Sequence, residues 1–246
     1  MQRGMLRLFL AASSLWTLAG AATGMELIAH AGGSLNGKTY LNSIAALDAN
    51  YARGFRSFEV DLQRTSDGEI VCVHDWSDWH FLRWSSGPLS LADWLSEPAR
   101  GCTLAELAAW MQAHQDARLI TDTKSTDLGI ISAIGDTIAK SQLIVQAYSL
   151  EMAEAIVSNG YSVIFTQYLL PHSQRVPGAL PPSLARGLHA VTLPADGTDW
   201  AAWKGWTASP IYSHTINDCR LARDLQAIGV DGLYTDDIVP GDCKLS

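Results

Sequence analysis

Three times along this chain a helical pattern ends at a glycine and a β-rich run follows, at Gly54, Gly160 and Gly229. Glycine just past a helix end adopts the left-handed conformation that turns the chain back toward a sheet. Repeated helix–glycine–strand units mean a parallel sheet with its helices outside. The helices between the strands have readable starts. Ser43 opens one with Ile44, Leu47 and Tyr51 on a common face, and Thr103–Glu106 forms a capping box before a second. Ser149 opens a third, through Met152 and Ile156, and Asn217 a fourth, with Leu221, Leu225 and Ile228.

The strand candidates are 26–30, 55–61, 70–74, 118–122, 143–148, 161–167, 188–193, 210–215 and 232–235. Segment 70–74 reads as the return arm of a hairpin, because Asp67-Gly68 sits between two alternating runs. Eight strands then remain for the parallel sheet. In a chain of this length they suit a (β/α)₈ TIM barrel with a β-hairpin extension after strand 2. A doubly wound open sheet is the alternative.

Residues 1–22 are set aside as a secretory signal peptide. Arg3 and Arg7 precede an apolar stretch from Leu8 to Leu18, and Ala19-Gly20-Ala21 supplies small residues for cleavage. The apolar stretch is too short to span a bilayer. The mature domain is 23–246, exported to a periplasm or secreted, with no membrane span left after cleavage. Loss of Arg3 and Arg7 takes the formal net charge from −8 to −10. An acidic chain without a basic run argues against nucleic acid as a partner. Export also permits disulfides among Cys72, Cys102, Cys219 and Cys243. Cys219 at a helix start and Cys243 after the last strand favour one pair. Cys72 is read equally well as a buried free thiol. Nothing in the sequence fixes the oligomeric state.

Reacting groups of a barrel lie at the C-terminal ends of its strands. His30 ends the first candidate, Glu59 and Asp61 the second, and Asp122 and Lys124 follow the fourth. His214 and Asp236 end the last two, His214 read as a pocket-lining residue. Two residues apart on a strand, Glu59 and Asp61 share a face. A two-residue turn would set hairpin partners summing to about 135, with His74 opposite Asp61. Two carboxylates beside an imidazole suit a hard-metal site with an adjacent acid or base. Trp76, Trp79, Phe81 and Trp84 follow His74 as either core packing or a substrate-contacting rim.

These residues resemble a known family. His30-Ala31-Gly32, Glu59-Val60-Asp61, the Asp-Gly turn, His74-Asp75 and Asp122-Thr123-Lys124 follow the order seen in glycerophosphodiester phosphodiesterases. Gln146-Ala147-Tyr148, the run from Ile211 to Asn217, and Asp231 to Asp236 resemble its later motifs. The resemblance implies a barrel hydrolase acting on a small-molecule phosphodiester. It implies Glu59, Asp61 and Asp122 as ligands of a divalent metal, and His30 and His74 as acid/base pair. Lys124 would neutralise the phosphate. Oxygen-only ligands suit Mg²⁺ or Ca²⁺. The sequence departs from the family at Ala31, where an arginine is usual, and Lys38 is a candidate substitute. Leu41-Asn42-Ser43 replaces the usual Glu-Asn-Thr. Asp122-Thr123-Lys124 also resembles the sphingomyelinase D/phospholipase D-like lyases, which form a cyclic phosphate. A non-catalytic glycan- or lipid-binding barrel is the third reading.

Overall fold

The computed structural model describes residues 24–77, 87–167, 187–196 and 198–245, together with residues 170, 175–179, 181 and 184. The expected signal peptide and Trp79, Phe81 and Trp84 lie outside the described residues. Eight parallel strands form the sheet: β1 (Glu26–Ala29), β2 (Ser57–Arg64), β4 (Arg118–Asp122), β5 (Leu143–Ala147), β6 (Ser162–Thr166), β7 (Ala190–Pro194), β8 (Ile211–His214) and β9 (Gly232–Thr235). Strand β1 pairs with both β9 and β2, so the sheet closes on itself. This is the (β/α)₈ barrel, and closure excludes the open doubly wound sheet. The remaining strand, β3 (Ile70–Cys72), runs antiparallel to β2 and extends it as a hairpin.

Alternation along the strands divides the apolar residues into two layers. Ile28, Ile120, Ile144, Ile164, Ala190, Tyr212 and Tyr234 fill the barrel interior. Outward-facing residues such as Phe58, Leu119, Val145 and Phe165 pack in a second core with helix residues Leu47, Leu107, Met111, Ile134 and Ile156. Each such buried side chain stabilises the fold by roughly 1.5–3 kcal/mol. The helices begin where hydroxyls cap them. Ser43 accepts from Ala46 N, Ser149 from Met152 N, and Thr103 closes a capping box with Glu106. The fourth start differs by one residue. Asp218, not Asn217, caps Cys219–Ala227, which releases the Asn217 amide for the site. The pattern also left unread the helices Leu91–Ser96, Leu128–Gly135 and Trp200–Trp206.

The hairpin register differs from the expected one. Leu62 pairs with Cys72, Gln63 with Val71 and Arg64 with Ile70, so partners sum to 134. Thr65 N donates to Glu69 O and Glu69 N to Thr65 Oγ1, closing a three-residue loop rather than a two-residue one. Gly68, at φ +92°, takes its left-handed position. Asp61 therefore faces Val73, whose N–H donates to the Asp61 carbonyl. His74 lies one residue further on, past the strand end.

Both disulfides form within the fold. Cys219–Cys243 is the expected pair. Cys72 is not a free thiol: it is bonded to Cys102 across a Cα separation of 4.9 Å. Its N–H donates to Cys102 O, and Cys102 N–H donates in turn to Asn42 O. The return arm of the hairpin is thereby tied to two further segments.

Candidate active site

Two residues beyond each interior apolar position, the next inward-facing residue is polar. Ile28 is followed by His30, Ile120 by Asp122 and Ile144 by Gln146. Ile164 is followed by Thr166, Ala190 by Thr192, Tyr212 by His214 and Tyr234 by Asp236. On β2 the corresponding places are Glu59 and Asp61. A period of two thus lays a polar floor over an apolar plug at one end of the barrel. Above it opens a cavity of about 340 Å³, lined among others by His30, Tyr40, Glu59, His74, Asp122 and Lys124.

Glu59, Asp61 and Asp122 each offer an oxygen within 4.8 Å of the other two. Glu59 is only 2% exposed. Its Oε2 accepts from Ala31 N at 2.6 Å, whereas buried Oε1 has no hydrogen-bond partner. Asp61 is held on both sides: Asn42 Nδ2 donates to Oδ2 at 2.9 Å and Lys124 Nζ to Oδ1 at 2.6 Å. Asn42 also accepts from Asp61 N through its Oδ1. Asp122 accepts from the Tyr148 hydroxyl and from Lys124 N.

Burial, with repulsion from Asp61 and Asp122, pushes the Glu59 carboxyl well above its usual range. Burial and Asp61 push Asp122 up as well. Burial opposes the Lys124 charge, but Asp61 and Asp122 outweigh it and hold the ammonium above its ordinary value. Three carboxyl groups face one ammonium, so full ionisation would leave two negative charges in a buried place. That imbalance and the orphaned Glu59 oxygen fit a divalent cation with hard oxygen ligands.

The two imidazoles come from separate elements. His30 follows β1, and its Nδ1 lies 2.9 Å from Asp236 Oδ1 while Nε2 lies 3.9 Å from Glu59 Oε2. Asp236 is itself fixed by Asn217, whose Nδ2 donates to Oδ2 and whose Oδ1 accepts from Asp236 N. Burial alone would raise Asp236, but the bonds from His30 and Asn217 bring it below the usual carboxylate value. His74 reaches the cavity from the segment after β3. Its carbonyl accepts from Gln63 Nε2 at 2.6 Å and Lys124 Nζ at 3.0 Å. The hairpin thus delivers His74 to the acids, as expected, but from past its end and not by pairing with Asp61.

All six residues singled out from the sequence, His30, His74, Lys124, Glu59, Asp61 and Asp122, gather within this site. His214 lines the cavity too, and burial together with the His30 charge pushes it down to about 4. Lys38 does not take the place of the missing arginine. It lies exposed on the loop, bridged through its backbone to Leu35, and does not line the cavity. Ala31 instead contributes its backbone N–H to Glu59. Sequence reading gave no role to Tyr40, Thr166 or Thr192. The period-two spacing beyond Ile164 and Ala190 signals the two threonines; Tyr40 sits in a loop without period.

Fold and site together define the class: a (β/α)₈ barrel with an acidic cluster and two imidazoles at the C-terminal ends of its strands. Residues 30–109, which carry His30, Glu59, Asp61 and His74, match the model of the glycerophosphoryl diester phosphodiesterase family. The family resemblance expected from the motifs therefore holds over that segment. Solved structures agree at the level of fold. A glycerophosphodiester phosphodiesterase of Thermotoga maritima is 17% identical, with a TM-score of 0.66 over 87% of this chain and 95% of its own. A phosphodiesterase of Oleispira antarctica, solved with the product sn-glycerol-3-phosphate, is 17% identical, with a TM-score of 0.64 over 87% and 93%. A glycerophosphoryl diester phosphodiesterase of Parabacteroides distasonis is 15% identical, with a TM-score of 0.64 over 87% and 83%.

Proposed function

We propose that this protein is an exported, metal-assisted phosphodiesterase that hydrolyses glycerophosphodiesters, or a related small phosphodiester headgroup, to glycerol phosphate and an alcohol. The observation that carries this reading is the placement of two imidazoles from separate elements beside one buried triad of carboxylates. Glu59, Asp61 and Asp122 would hold Mg²⁺ or Ca²⁺, which when bound supplies a Lewis acid for a phosphoryl oxygen. The chain's own residues do the rest. Asp236 occupies Nδ1 of His30 and so leaves Nε2 as its working nitrogen, in the way a carboxylate orients a catalytic imidazole elsewhere. His30 and His74 divide two proton transfers, one from the attacking hydroxyl or water and one to the departing alkoxide oxygen. Imidazole suits both, because its ordinary pKa of about 6.5 lies near neutrality. Lys124, bonded to Asp61 and to the His74 carbonyl, offers positive charge where the phosphate would lie.

Export is part of the proposal. It rests on the arginines, apolar stretch and small residues of the first 22 positions, and two disulfides suit an oxidising compartment. Among the described residues no helix is long and apolar enough to cross a membrane. Incubation of the purified protein with glycerophosphocholine and glycerophosphoinositol, followed by ³¹P NMR, tests the reaction. Metal-stimulated appearance of glycerol phosphate is expected. A cyclic phosphate that persists unhydrolysed would instead identify a lyase, and no turnover with Mg²⁺, Ca²⁺ or Mn²⁺ would leave a binding protein.

A further inference from the structure

We propose that Tyr40 is a positioning residue for both imidazoles, an aromatic spacer that holds His30 and His74 apart on the outer wall of the cavity. The inference rests on the phosphodiesterase reading of the site. The Tyr40 ring contacts both imidazoles. Its centroid is 4.9 Å from that of His30 at an interplanar angle of 80°, and 4.7 Å from that of His74 at 71°. Both contacts are edge-to-face, the geometry that aromatic quadrupoles favour. The same ring lines the cavity that Glu59, Asp122 and Lys124 bound from the inner side.

Core packing does not account for this placement, since Tyr40 is 47% exposed. Its φ of +54° is a genuine outlier for a bulky residue, and such conformations persist where the surroundings fix them. Here they do. Leu35 and Lys38 exchange backbone hydrogen bonds, Ser34 N donates to Asp236 O, and Asn42 N donates to Ala31 O. Asn42 is further locked to Asp61 by its side chain. The loop is thus anchored to the acids on one side and to the partner of His30 on the other, and its ring meets the imidazole that follows β1 and the one that follows the hairpin. In-line displacement at phosphorus places the entering and leaving oxygens on opposite sides. Acid and base must therefore stay apart at a set separation. A ring packed against both imidazoles would hold that separation without touching the reacting atoms.

Steady-state kinetics of Tyr40→Ala and Tyr40→Phe, with ¹³C NMR of the histidine rings assigned through His30→Gln and His74→Gln, tests the proposal. Loss of the ring should lower kcat by roughly 10- to 100-fold, the scale of a misplacement near 1 Å, with KM changed far less. Phenylalanine should restore kcat, because the contact is made by the ring. The signals of both histidines should move in the alanine variant and return in the phenylalanine variant, with melting unchanged in each. Full turnover by Tyr40→Ala overturns the proposal, and so does faster turnover, which would make the ring an obstruction. A phenylalanine variant as slow as the alanine one overturns it by making the hydroxyl the working group. Unmoved histidine signals in Tyr40→Ala overturn it whatever the activity. A wild-type protein that cleaves no phosphodiester defeats the functional reading and leaves the NMR result to judge Tyr40 separately.

Discussion

At the scale of single residues, Glu59 decides the electrostatics. Its burial and the repulsion from Asp61 and Asp122 favour the protonated form in the metal-free protein. A carboxyl raised above its unfolded value contributes stability at low pH and loses it as pH rises through the folded value. Divalent metal must displace that proton, so the melting-temperature gain on adding Mg²⁺ or Ca²⁺ should grow as pH rises through the raised Glu59 value. Glu59→Gln should abolish that gain, raise the melting temperature of the metal-free protein, and remove metal-stimulated turnover. A variant that still gains stability from metal would place the ion elsewhere. His214 has the opposite sign. Burial, with the His30 charge, depresses it to about 4, so its neutral form contributes stability above the unfolded value of about 6.5. That contribution fades as pH falls from about 6.5 to about 4, by on the order of 3 kcal/mol in all. Denaturant melts of wild type and His214→Gln should converge or cross over that window; parallel curves would refute the assignment. His30, Asp61 and Asp122 were legible because charged residues at strand ends stand out. Thr166 and Thr192 were not, since threonine is an ordinary strand former and only the inward register gives it meaning.

At the scale of elements, the hairpin and its tether carry His74. The Asp67-Gly68 turn was readable, but its loop length was not. Thr65 Oγ1 accepts from Glu69 N and bonds Asp67, which closes a three-residue loop that a dipeptide pattern does not distinguish. The register moved by one residue, yet His74 still arrived because it lies beyond the paired segment, where alternation no longer applies. The Cys72–Cys102 bond closes a sequence separation of 30 residues. Replacing both cysteines by alanine should cost about 3–4 kcal/mol on the chain-entropy estimate, and should lower kcat by loosening the segment that holds His74. Unchanged stability and activity would show that the backbone bonds alone suffice. Gly101 sits against the same junction. A Cβ there would lie 1.9 Å from the Cys72 carbonyl oxygen and 2.8 Å from that of Asn42. Gly101→Ala should therefore displace the hairpin from Asn42 and destabilise the protein more than the cysteine replacement does, as thermal melts would show.

At the scale of the whole molecule, the barrel was legible from repeated helix–glycine–strand units and from eight strand-sized runs. Its closure was not, because pairing of β1 with both β2 and β9 is a tertiary fact that no local pattern contains. Closure is what turns separate strand ends into one site. It brings His30 after β1 against Asp236 after β9, a separation of 206 residues along the chain. The most direct measurement is turnover of glycerophosphocholine and glycerophosphoinositol by chelator-treated protein, with and without added Mg²⁺, Ca²⁺ or Mn²⁺, for wild type, His30→Gln and His74→Gln. Glycerol phosphate should appear with the wild type only when a divalent ion is restored. Each histidine variant should fall by about 10²- to 10⁴-fold, the usual contribution of a general acid or base, while still gaining thermal stability from the metal. Turnover that survives chelation, or histidine variants as fast as wild type, would contradict a metal-assisted phosphodiester site built from these residues.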